Sequence, residues 1–125
     1  MKLAAHNAIS LGVTALVLHF TLPGFAAAIL TNSVIDMLGH TWRGKWQHRT
    51  PFTHAILTAP LWGLGVGVAV GGIMTRAGLA NWFSNTNFIG EGAIGGIISA
   101  FCHLFLDSLT AAGIFIPSWF KVNKN

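Results

Sequence analysis

The sequence predicts an all-α fold, a four-helix integral membrane bundle, on three observations. Hydrophobic residues make up 53% of the chain, charged residues only 8%, and mean hydropathy is +0.63. The apolar residues gather in four long segments. The polar residues gather in the connections between them. A soluble domain carries more charge than this, whereas about 20 apolar residues in a helix cross ~30 Å of hydrocarbon. The chain of 125 residues reads as one membrane-embedded domain, residues 1–125.

The first helix is expected at residues 3–22. Lys2 precedes it, and no small-residue cleavage site clearly ends it, so it reads as a retained helix rather than a secretory signal. Leu22-Pro23-Gly24 is expected to form a turn. The second helix, residues 25–38, is shorter and more polar, with Thr31, Asn32, Ser33 and Asp36. It suits a short span or a helix packed against protein. Residues 39–53, GHTWRGKWQHRTPFT, form the main polar stretch, where Arg43, Lys45 and Arg49 interleave with Trp42 and Trp46. Basic residues and Trp at helix ends mark a cytoplasmic membrane interface.

The third helix is expected at residues 54–74. Its glycines at 63, 65, 67, 71 and 72 suit close helix packing, and Pro60 is expected to kink it. A second polar connection, residues 76–87, carries Trp82. The fourth helix, residues 88–116, is long for one straight span, so a break is expected near Ala111-Ala112-Gly113 before Pro117 stops it.

With four crossings, Lys2, Arg43, Lys45, Arg49, Lys121 and Lys124 share one side and Arg76 lies on the other. That bias predicts a multi-pass protein of the cell inner (cytoplasmic) membrane with both termini cytoplasmic. The lipid bilayer is then the expected partner, and a homo-oligomer is compatible with these segments. The basic residues, scattered or close to apolar segments, read as membrane orientation and not as nucleic-acid binding. Cys102 is the single cysteine, which excludes an intrachain disulfide and a CxxC zinc knuckle.

In this apolar chain the ionisable groups fall near helix ends on the predicted cytoplasmic side. His6 is near the start of the first helix. Asp36 and His40 are spaced i, i+4 near the end of the second, on one helical face. His48 and His54 bracket the entry to the third. His103 and Asp107 are again i, i+4 on the fourth. One such pair alone reads more readily as a structural hydrogen bond. Two pairs on neighbouring helices make a metal site inside a bundle, and intramembrane carboxylates default to function. The expected metal ligands are His6, Asp36, His54, His103 and Asp107, for zinc or manganese. His48 or His40 is assigned to proton movement and Arg49 to an anionic substrate. His19, 13 residues after His6, lies roughly 220° around the helix and is left out. Glu91 reads as an interface or packing residue. No GxSxG, P-loop or HExxH motif competes.

The element HRTPFTH, followed by HLFLDSLTAAGI, resembles the YdjM-type family of predicted inner-membrane metal-dependent hydrolases. The early His6 fits that pattern. The family's acidic turn, Pro-Asp-x-Asp, is replaced here by NSVIDMLGH, where Asp36 alone is acidic. The chain also looks distantly similar to the helical zinc-dependent phospholipase C and P1 nuclease folds, which implies phosphoester chemistry by analogy. The expected function is a membrane-bound metal-dependent hydrolase of a phosphoester such as a lipid phosphate. The alternative is a non-enzymatic structural protein of a membrane or virion assembly, its His/Asp pairs tying the bundle together. A third reading, an ion or proton pathway, lacks a His or acidic chain continuing to the far side.

Overall fold

The computed structural model describes residues 3–19, 21–43, 46–49, 51–79 and 87–109; for residues 40–43, 46–49, 51 and 52 it describes the backbone. Four long helices make an all-α body: α1 (Leu3–Leu18), α2 (Leu22–Gly39), α4 (Ala59–Arg76) and α5 (Phe88–Ser108). Between α2 and α4 lie a hairpin, β1 (His40–Arg43) and β2 (Trp46–Arg49), and a single turn, α3 (Pro51–His54). The hairpin is antiparallel and pairs His40 with Arg49 and Thr41 with His48. The expected loop at residues 39–53 is thus ordered in part.

Prolines start two of the helices rather than interrupting them. Pro23 and Gly24 lie inside the first turn of α2, not in a turn before it. An N-terminal proline has no amide to leave unbonded and its φ already suits a helix. The chain reverses earlier, and His19 takes the left-handed conformation at φ 59°. Pro60 likewise sits in the first turn of α4, after Thr58, so it begins a helix and does not kink one. The third helix therefore starts at Ala59, and His54 belongs to α3. At its C-terminus, Ala77 N donates to Ile73 O at 2.9 Å, and Gly78 follows with φ 78°. Asn87 caps α5, its side chain accepting from Gly90 N at 3.0 Å. α5 closes at Ser108; the expected break at residues 111–113 and the stop at Pro117 lie outside the described residues.

α4 and α5 run backbone to backbone. A Cβ on Gly63, Gly67 or Gly71 would meet the carbonyl oxygens of Gly96, Gly92 and Phe88 respectively. Gly65 and Gly72, on the same helix, have nothing within 4 Å of such a Cβ. α2 lies on the other flank of α5 in constant register, Gly24 beside Gly95, Ala28 bonded to Ser99 and Asn32 bonded to His103. Each pair is one helical turn on from the last. Extending that register puts Asp36 beside Asp107.

Burial is distributed in an unusual way. The buried residues include His6, Ser10, Thr14, Thr31, Asn32, Thr53, His54, Ser99, His103 and Asp107. Among the described residues one apolar cluster is made by Ile35, Ala59, Ala100 and Leu104, with Trp62 packed against it, and Ala27, Ala28, Val70, Phe88 and Leu106 are also buried. Large apolar side chains stand outside instead, Leu16 at 83% exposure and Met37 at 74% among them. Among the described residues two helices, α2 and α5, are long and apolar enough to cross a membrane. α1 is a shorter apolar helix of 16 residues.

Candidate metal centre

The site lies at one end of the bundle, where α1 begins, α2 and α5 end and α3 leads into α4. His6 is on α1, Asp36 on α2, His54 closes α3, and His103 and Asp107 are one turn apart on α5. Gly39 ends α2 without a side chain, because a Cβ there would overlap Thr53 Oγ1 and the His54 ring. The absent side chain lets α3 press His54 against the end of α2.

All five expected metal ligands converge. Asp107 stands at the centre. Its Oδ1 accepts from His6 Nε2 at 3.0 Å, and its Oδ2 lies 3.3 Å from His54 Nε2 and 3.2 Å from His103 Nε2. Asp36 Oδ1 lies 3.3 Å from His103 Nε2 and 3.9 Å from His54 Nε2. The His54 and His103 rings are 5.3 Å apart between centroids, and those of His6 and His103 are 4.2 Å apart. Asp36 is the most open member, its side chain 24% exposed against 2% for Asp107.

Hydrogen bonds behind the ligands fix which imidazole nitrogen faces the carboxylates. Asn32 Nδ2 donates to Asn7 Oδ1 at 2.8 Å and to Ser10 Oγ at 3.1 Å. That fixes the amide, so its Oδ1 accepts from His103 Nδ1 at 3.2 Å. The Thr53 hydroxyl donates to Ile35 O at 3.2 Å and therefore accepts from His54 Nδ1 at 2.9 Å. Both rings thus carry their proton on Nδ1, and in the neutral ring Nε2 presents a lone pair. A lone pair beside two anionic oxygens is repelled unless a cation stands between them. His103 Nε2 is within reach of both carboxylates yet makes a directed hydrogen bond to neither. A proton on that nitrogen would point at one oxygen; a metal ion is approached by all donors at once.

The donor spacing fits such an ion. Ligands 2.0–2.2 Å from a tetrahedral centre lie about 3.3–3.6 Å from one another. The four imidazole–carboxylate separations among His54 Nε2, His103 Nε2, Asp107 Oδ2 and Asp36 Oδ1 are 3.2, 3.3, 3.3 and 3.9 Å. His6, bonded to the other oxygen of Asp107, is better described as a support to that carboxylate than as a ligand. Asn32, Asn7, Ser10 and Thr53 complete the site and were not singled out from the sequence. Asn32 carried a signal: it precedes Asp36 by one helical turn and so shares its face. The expected catalytic residues His40, His48 and Arg49 lie on the hairpin backbone next to the site; their side chains are outside the described residues.

The model of DUF1286, a family described as protein of unknown function, matches residues 1–106. The chain belongs to this family. The matched span holds His6, Asp36, His54 and His103 and stops one residue before Asp107. The DUF1286 match overturns the YdjM-type resemblance, which rested on two short His elements. Histidine and aspartate one turn apart are what any helical bundle needs to gather such a cluster, so the spacing reports chemistry and not ancestry. No curated protein and no solved structure matches this DUF1286 chain.

Proposed function

We propose that this DUF1286 protein is an integral membrane protein whose polar end holds a divalent metal, zinc or manganese, for hydrolysis of a phosphoester at the membrane surface. The observation that carries the reading is the buried trio His54, His103 and Asp107, with Asp107 Oδ2 3.3 and 3.2 Å from the two imidazoles and both rings held in the ligating tautomer. Apolar side chains outside and polar ones within support the membrane setting, since a bilayer solvates the first and not the second. The basic loop shares the metal end, consistent with both termini on the cytoplasmic side.

His54, His103 and Asp107 are three deeply buried donors, the number that hydrolytic zinc sites use. A metal held there supplies a Lewis acid and an acidified water. Asp36, more open and farther from His54, would accept the proton of a water activated there. His6 holds Asp107 by its second oxygen, keeping Oδ2 turned inward. Arg43 and Arg49 lie on the hairpin between α2 and α3 and suit an anionic headgroup such as a lipid phosphate.

Asp36 Oδ1, 3.3 Å from His103 Nε2, is also close enough to close the tetrahedron itself, which favours a structural metal as the second reading. One experiment separates the two. Metal content and lipid-phosphate turnover are measured on purified wild type, Asp36→Asn and Asp107→Asn. The enzyme reading expects Asp107→Asn to lose metal and Asp36→Asn to keep metal but lose turnover. Loss of metal from both variants, with no turnover by wild type, selects the structural site. Wild type without metal removes both.

A further inference from the structure

Buried hydroxyl groups run inward from the metal centre. The buried residues of α1 are His6, Ser10 and Thr14, all polar and spaced one turn apart on one face. α5 contributes Ser99, His103 and Asp107 at the same spacing, and α2 adds Asn32. Near the centre this column is bonded: Ser10 accepts from Asn32, and Ser99 Oγ donates to Ala28 O at 2.7 Å. Deeper, the partners stop. The hydroxyls of Thr14 and Thr21 are buried and hydrogen-bond to nothing among the described residues.

Helical threonines commonly turn the hydroxyl onto the carbonyl one turn back, as Thr75 does to Gly71 at 2.8 Å. Thr14, fully buried, leaves that bond unmade. A hydroxyl shut away without a partner is unfavourable, and internal water is the guest that bonds such groups. The column also continues to the far end. A Cβ on Gly24 would meet the Thr14 methyl at 3.4 Å and the Thr21 hydroxyl at 2.6 Å, so both border the same spot beside the α1–α2 turn. There His19 is exposed and holds its left-handed backbone. From His6 to Leu18 the helix rises about 18 Å.

We propose that this hydroxyl-lined column is a water-filled proton path joining the metal end of the bundle to the opposite end, with His19 at the outer mouth. Each hydroxyl or water accepts one proton and releases another, so no group changes its net charge and no co-reactant is needed. The path supplies the far-side continuation that a chain of histidines and carboxylates does not. It goes beyond hydrolysis, and it shares with that reading only the membrane setting.

The full chain is reconstituted in sealed phosphatidylcholine vesicles enclosing a pH-sensitive dye, and a pH step is applied with valinomycin present. Wild type is expected to equilibrate faster than protein-free vesicles. Thr14→Val and Thr21→Val, which keep shape and remove the hydroxyl, are expected to fall to the protein-free rate, and Thr14→Ser to retain the flux. Carbonate extraction of the same vesicles reports insertion, and metal analysis of the same variants reports the centre. Inserted wild type at the protein-free rate, or valine variants conducting like wild type, overturns the path and leaves the metal site standing. Protein stripped by carbonate overturns the membrane setting itself.

Discussion

Replacing Asn32 with leucine removes the hydrogen bonds behind the metal centre while leaving every proposed ligand in place. Asn32 is fully buried and makes three side-chain hydrogen bonds, at 2.8 Å to Asn7, 3.1 Å to Ser10 and 3.2 Å from His103. Leucine has similar bulk, so the change is chiefly polar. Interhelical bonds of this kind average ~0.6 kcal/mol in membrane helices, so losing three costs about 2 kcal/mol of bundle stability. The effect on metal is separate. Without Asn32 Oδ1, His103 is free to carry its proton on Nε2, which then repels the cation, and the ring can rotate. Outer partners of this kind are worth about 10–100-fold in metal affinity, or roughly 1.4–2.7 kcal/mol. Competition for zinc against a chromophoric chelator in detergent measures it, with circular dichroism to confirm retained helix. Wild-type affinity in a folded Asn32→Leu protein would refute the tautomer argument and the site built on it.

Three further outcomes follow from the same geometry. Gly67→Ala, whose Cβ would run into Gly92 O, should destabilise the bundle by about 1–3 kcal/mol through overpacking; Gly65→Ala, with open space around its Cβ, should be neutral or stabilising by up to ~1 kcal/mol through helix propensity. Unfolding by SDS titration compares the pair, and equal effects would contradict the α4–α5 contact. Gly39→Ala should displace Thr53 and His54 and so weaken metal binding, measured by the same chelator competition; unchanged affinity would show that α3 does not depend on that gap. Stripping metal with a chelator should lower the melting temperature, since a ligand at 1,000 times its Kd contributes about 4.1 kcal/mol; an identical melt with and without zinc counts against a bound ion.

The helices and the cluster were legible for different reasons. Apolar segments bounded by polar connections located four helices, because segment length and hydropathy are local properties. Their ends were less legible. Pro23 and Pro60 read as breaks, but each stands in a first turn, and that distinction depends on where the preceding chain reverses. The i, i+4 spacing of His103 and Asp107 gave the shared face directly, and polar cost gave the convergence with His6, Asp36 and His54. What spacing could not give was Asn32 and Thr53. Their roles depend on a register between α2 and α5 and on the gap left by Gly39, neither of which one helix encodes alone. The same locality explains the family correction, since short His/Asp elements recur wherever helices gather a metal site.

The two carboxylates at the centre also select by valence. Asp36 and Asp107 with neutral imidazoles carry two formal negative charges. A divalent ion cancels them and leaves a core with no net charge, the cheapest state in a low-dielectric interior. A sodium or potassium ion would leave one negative charge behind, and a trivalent ion would leave one positive. Electroneutrality thus disfavours the abundant monovalent ions without any steric filter. It also ties metal loading to proton release, because the metal-free core reaches the same neutrality only by holding protons that the incoming ion must displace. Loading should therefore acidify an unbuffered solution, and folding should proceed with one cation or the other always in place.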